Sequence, residues 1–92
     1  MIEETHKKII VSGRVQGVFY RASTVNRANE LGINGFVKNR PDGTVYIEAE
    51  GSADRLDVFI DWCRKGPLYA NVESVDIENG EWQGFKGFII KR

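Results

Sequence analysis

The hydrophobic period changes midway along this chain, so no single helix or strand can accommodate it. From Thr44 to Glu50, apolar Val45, Ile47 and Ala49 alternate with Thr44, Tyr46 and Glu48. A period of two puts one set on one face of a half-buried strand. Farther on, Leu56, Phe59, Ile60 and Cys63 recur at i, i+3, i+4 and i+7, the single apolar stripe of a helix. Gly51-Ser52 separates the two patterns: Ser52 suits an N-cap, and Asp54 lies near the positive end of the helix dipole. Gly66-Pro67 stops the helix.

The flanking segments extend this pattern. Lys7 to Gly13 is short and β-branched, which predicts a first strand. A glycine-bounded loop from Gly13 to Tyr20 follows. A helix is predicted from Arg21 to Leu31, with Ala22, Val25, Ala28 and Asn29 at three-to-four spacing and Gly32 at its C-terminus. Ile33 to Arg40 reads as a second strand, Pro41-Asp42-Gly43 as a turn and Thr44 to Glu50 as the third strand. Val72 to Ile77 reads as a fourth strand, Asn79-Gly80 as a turn and Phe85 to Ile90 as a short fifth strand. The order is β-α-β-β-α-β plus a final strand. That predicts an α+β, ferredoxin-like two-layer sandwich, with two helices on one face of a mainly antiparallel sheet. No repeat or linker interrupts residues 1–92, which are expected to form one domain.

Thirteen basic and thirteen acidic residues cancel. A general polyanion binder normally carries a strong basic excess, so nucleic acid is not an expected partner. One phosphate, by contrast, needs only a few well-aimed donors. Cys63 is alone, which excludes an internal disulfide or a cysteine zinc cage. No apolar run approaches the roughly 20 residues of a membrane span, and the N-terminus lacks the pattern of a secretion signal. A cytoplasmic monomer without cofactor, metal or membrane partner is the expectation.

Between residues 13 and 24 a glycine-containing loop leaves a strand and a helix begins at once. A helix's first turn carries unpaired N–H groups and partial positive charge, which favour an anion. Gly17 allows close backbone approach. Val18, Phe19 and Tyr20 bring few competing acceptors, and Arg21 adds a planar cationic fork matched to two phosphate oxygens. The candidate anion loop is therefore Gln16, Gly17, Val18, Phe19, Tyr20 and Arg21, although a tight turn beside a surface arginine would read similarly. It lacks the Gly-Lys-Ser/Thr of a Walker loop. A helical crossover makes the first two strands parallel, so they end at one edge of the sheet. Asn39, near the end of the second strand, should meet the loop there, offering one acceptor and one donor amide group. Turn chemistry is the other reading of Asn39.

Val11-Ser12-Gly13-Arg14-Val15-Gln16-Gly17-Val18-Phe19-Tyr20-Arg21 resembles the first signature of the acylphosphatase family. Gly35-Phe36-Val37-Lys38-Asn39, with Gly43, Val45 and Gly51, resembles the second, and Gly66-Pro67 is also similar to the family pattern. The resemblance implies a ferredoxin-like fold and hydrolysis of acyl phosphates to carboxylate and inorganic phosphate. It further implies that Arg21 binds the phosphoryl group and Asn39 orients the attacking water, making these two the candidate catalytic residues. Tyr20 departs from the family's usual Phe or Met, and a buried hydroxyl there would need a partner.

Other reactive side chains have simpler readings. Cys63 lies on the apolar stripe and reads as core. His6, the lone histidine, is placed at a frayed N-terminus, and the carboxylates are expected mostly on solvent-facing positions. Two rival functions share the fold. One is an RNA-binding module, since Gly84-Phe85-Lys86-Gly87-Phe88-Ile89 resembles an aromatic RNA-recognition motif, although it is misplaced and misspaced. The other is a catalytically silent phosphate-binding module.

Overall fold

The computed structural model describes residues 3–92; Met1 and Ile2 of the expected domain lie outside the described residues. The elements are β1 (Glu4–Arg14), α1 (Tyr20–Leu31), β2 (Asn34–Asn39), β3 (Val45–Ser52), α2 (Ala53–Lys65), β4 (Asn71–Gly80) and β5 (Phe88–Ile90). They form one sheet in the order β4-β1-β3-β2-β5. β1 pairs antiparallel with β3 and β4, β2 pairs antiparallel with β3, and β5 lies parallel to β2. α1 packs on β2 and β5, and α2 packs on β1, β3 and β4. This is the expected ferredoxin-like sandwich with its additional strand.

The period-two alternation sorts the central strands as read. Val45, Ile47 and Ala49 are buried with Ile9, Val11 and Val37, and the α2 stripe of Leu56, Phe59, Ile60 and Cys63 closes over them. α1 differs slightly from expectation. It starts at Tyr20 rather than Arg21, and its buried positions are Tyr20, Thr24 and Ala28, whereas Ala22 and Asn29 are exposed. A polar residue joins the buried face because the Thr24 hydroxyl donates to the Tyr20 carbonyl at 2.7 Å, which satisfies it within the helix.

Four further expectations are corrected. His6 is not frayed: it lies within β1, 3% exposed, opposite Glu50 of β3. Glu50 is not solvent-facing either, but fully buried. Asn79-Gly80 is not a turn but the end of β4, paired with Lys7 and His6. At Gly80 the missing side chain leaves room for the His6 ring, which a Cβ would strike. Finally, the fifth strand starts at Phe88, not Phe85. Left-handed Gly84 (φ 73°) and Gly87 (φ 75°) break the extended run, and the Phe85 N–H donates to Glu50 Oε1 at 2.8 Å instead of joining a ladder.

Candidate active site

β1, β2 and β5 all end at one edge of the sheet, because each runs parallel to the next once the intervening β3 is counted. The loop leaving β1 turns back immediately into α1 at that edge. Gly17 has φ 72° and Phe19 φ 63°, with an ordinary negative φ at Val18 between them. Such alternation folds successive N–H groups toward one side, the concavity that holds anions. Glycine adopts this conformation freely, but a phenylalanine held there costs about 1–3 kcal/mol. Among the described residues, the backbone N–H groups of Gln16, Gly17, Val18 and Phe19 donate to no other backbone carbonyl.

The start of α1 is equally open. Phe19 occupies the N-cap position without a side-chain hydrogen bond, and no acidic residue lies in the first turn. The partial positive charge of the helix end is therefore not offset locally. Arg21, half-buried in that turn, forms no ion pair among the described residues.

These groups surround a depression of about 270 Å³, lined by Val15, Gly17, Phe19, Tyr20, Arg21, Ala22, Asn39 and Ile90. Arg21 is the only charged residue in that lining. Asn39 ends β2, and its side-chain Oδ1 is buried with no hydrogen-bond donor among the described residues. A buried acceptor left unsatisfied is costly, and a water or ligand hydroxyl entering the depression would satisfy it. Among the described residues, no group of three or more His, Cys, Asp or Glu side chains is placed to hold a metal ion.

Two anticipated loop residues do not line the depression. Val18 is buried beneath the loop. The Gln16 side chain instead donates from Nε2 to the carbonyls of Arg40, at 2.8 Å, and Thr44, at 2.9 Å. It thereby ties the loop to the hairpin that carries Asn39. That hairpin is tightened by Asp42, whose Oδ1 accepts from the Thr44 hydroxyl at 2.6 Å and the Thr44 N–H at 2.9 Å. The bond from the Thr44 hydroxyl, followed by that from its N–H, lowers the Asp42 pKa.

Tyr20 finds the partner its burial demands, donating its hydroxyl to the Cys63 carbonyl at 2.7 Å. Burial, followed by interactions with Cys63, pushes the phenol pKa far up, so it stays a donor. The contact moors the first turn of α1 to the C-terminal part of α2. Cys63 is fully buried, and burial pushes its thiol up to about 12, which leaves no nucleophilic thiolate near neutral pH.

Val15, Ala22 and Ile90 join the lining without having been read from the sequence as site residues. Ala22 could have been found, since it occupies the first helical turn beside Arg21. Ile90 could not: it reaches this edge only because β5 runs parallel to β2, with Ile90 opposite Val37.

The acylphosphatase family profile matches residues 7–90. An acylphosphatase of Methylococcus capsulatus is 51% identical over 85 residues, covering 91% of this chain and 92% of the relative. The structure of an acylphosphatase from Coxiella burnetii superposes with a TM-score of 0.92 at 36% identity, covering 96% of this chain and 93% of that one. The acylphosphatase from Bacillus subtilis gives 0.93 at 33% identity, covering 98% and 100%. Likeness of this extent in both sequence and backbone decides between the three functions that share the fold: the chain belongs to the acylphosphatase family and is an enzyme that hydrolyses acyl phosphates.

Proposed function

We propose that the open loop and Arg21 hold the phosphoryl group while Asn39 holds the attacking water. The observation that carries this reading is the unpartnered Asn39 Oδ1, buried in the same depression that Arg21 lines. The loop N–H groups and the α1 terminus take some phosphoryl oxygens, and the Arg21 guanidinium takes others through paired donors. Asn39 Oδ1 accepts a hydrogen bond from water, and its amide NH₂ donates to a phosphoryl oxygen.

Phosphoryl transfer asks chiefly for position and charge stabilisation. The water oxygen bonds to phosphorus as the bond to the acyl oxygen breaks, and the carboxylate leaves with that electron pair. A carboxylate is a good leaving group and needs no protonation. The water proton passes to a phosphoryl oxygen of the substrate, so the products are carboxylate and inorganic phosphate. No side chain of the site need act as a strong base, and no metal enters the scheme.

Hydrolysis of a synthetic acyl phosphate in excess EDTA tests the scheme, with Asn39→Ala as the variant. The wild-type enzyme should turn over undiminished, and Asn39→Ala should lose kcat more than affinity for inorganic phosphate. Loss of phosphate inhibition with turnover spared would overturn the water-holding role. We read residues 1–92 as one cytoplasmic, monomeric domain whose partners are acyl phosphate and phosphate, with no nucleic acid or membrane. The balanced charge and the buried, unpaired thiol of Cys63 support that reading.

A further inference from the structure

The mouth of the active-site depression is apolar in a way the phosphoryl group does not require. Phe19 lies in the lining with 76% of its surface exposed, and Ile90 lies there with 42% exposed. Isolated exposed apolar side chains are common and need no account. Phe19 differs because its backbone is also held in the left-handed region, where a bulky residue is disfavoured. An exposed ring on a disfavoured backbone contributes nothing evident to packing. Both costs fall on the residue beside the open N–H groups.

The same edge of the sheet carries more apolar surface. Arg14 pairs with Asn71 at the start of β4, which brings the preceding residues to this end, and Leu68 and Tyr69 there are 87% and 69% exposed. Meanwhile Arg21 is the only charged residue of the lining. A substrate whose phosphoryl group engages it leaves no second cation in the lining for a charged acyl chain.

We propose that Phe19 and Ile90 form the acyl subsite, so that the enzyme favours acyl phosphates with aromatic or extended apolar acyl groups over small or anionic ones. This deepens the phosphoryl-site reading above and rests on it. The leaving oxygen departs away from the attacking water, and the acyl group it carries crosses the mouth over the Phe19 ring. Aromatic and aliphatic groups gain there by covering exposed apolar surface and by ring–ring contact.

The test compares kcat/KM for benzoyl phosphate and acetyl phosphate, because their ratio cancels any damage common to both. Phe19→Asn is the main variant, since asparagine adopts positive φ more readily than most residues and removes the ring. The benzoyl-to-acetyl ratio should fall about 3- to 10-fold, the scale of one partly exposed aromatic contact. Phe19→Tyr should restore it, and Ile90→Ser should lower it in the same direction. Equal losses on both substrates, with the ratio at its wild-type value, would overturn the acyl subsite. Arg21→Ala separates that failure from a failure of the phosphoryl site. If Arg21→Ala is crippled on both substrates while Phe19→Asn keeps the wild-type ratio, only the acyl inference falls. If Arg21→Ala hydrolyses both normally, the phosphoryl site is wrong and the acyl proposal falls with it.

Discussion

The two ends of this sheet treat negative charge in opposite ways. At the end where β1 and β2 finish, backbone donors, an uncapped helix terminus and a guanidinium unpaired among the described residues face a depression with no carboxylate in its lining. At the other end the chain supplies its own anion. There the Glu50 carboxylate is fully buried: Oε1 accepts from the Phe85 N–H at 2.8 Å, and Oε2 accepts from the Gln83 N–H and lies 2.6 Å from His6 Nδ1. His6 Nε2 in turn lies 2.9 Å from Glu48 Oε1. The neighbouring helix α2 is closed as well, with the Ser52 side chain accepting from the Arg55 N–H and Asp54 in the first turn. The contrast teaches that similar donors serve architecture where the fold fills them and stay free to meet a ligand where it leaves them open.

The strongest way to break this comparison is to disarm the open end. Arg21→Ala should lower kcat about 10²–10³-fold, the scale of one transition-state donor, with little change in the urea midpoint. Near-normal turnover of benzoyl phosphate would sink the contrast outright.

Disarming the filled end should do the reverse. Glu50→Gln should cost about 3 kcal/mol of stability by urea denaturation, because it breaks a buried charged network, while activity per folded molecule persists. The pH dependence sharpens this. Burial alone would raise the Glu50 pKa from its ordinary 4.5, but hydrogen bonds from His6, then from the Gln83 and Phe85 N–H groups, bring it below that value. A depressed native pKa means the unfolded chain binds more protons in acid, so the contribution is present above about pH 4.5 and lost as pH falls through the native value. The wild-type urea midpoint should decline more steeply than that of Glu50→Gln below pH 4.5. Parallel profiles would count against a charged Glu50.

Making the open end resemble the filled one should trade function for stability. Ala22→Asp places a carboxylate in the first turn of α1 and in the depression. Inhibition by inorganic phosphate should weaken about tenfold, while stability rises by about 0.5 kcal/mol through the helix dipole. Tighter phosphate inhibition would contradict the assigned polarity. The smallest effect belongs to the α2 cap. Ser52→Ala should cost about 0.5–1 kcal/mol without altering turnover, and a kinetic defect would show that the two ends are coupled.

Much of this contrast was legible in the residue order, but unevenly. The period change across residues 44–63, the α2 cap and the turn at residues 41–43 rest on neighbours in sequence, and all lie where read. The loop proposed to hold the anion was equally local, since Gly17 and Arg21 flank a strand-to-helix junction. Asn39 needed one topological step, that a helical crossover makes β1 and β2 parallel. His6 and Glu50 defeated the reading because polar residues near a chain end or a strand end usually meet water. Their burial depends on partners 33 to 44 positions away. Phe85 and the Asn79-Gly80 pair were misassigned for the same reason, as one donates to Glu50 and the other leaves room for the His6 ring.

Alone, the sequence determined most of the elements and their order, and it marked the loop, Arg21 and Asn39 as the candidates for holding a phosphoryl group, because periodicity, capping and motif spacing act over a few residues. Only the tertiary structure decided which donors stay open. It joined Ile90 to Phe19 at the site, moored Tyr20 to the Cys63 carbonyl, held the loop to the Asn39 hairpin through Gln16, and sealed Glu50 at the far end. Satisfaction of a polar group depends on what lies within about 3 Å in space, and separation along the chain does not set that distance.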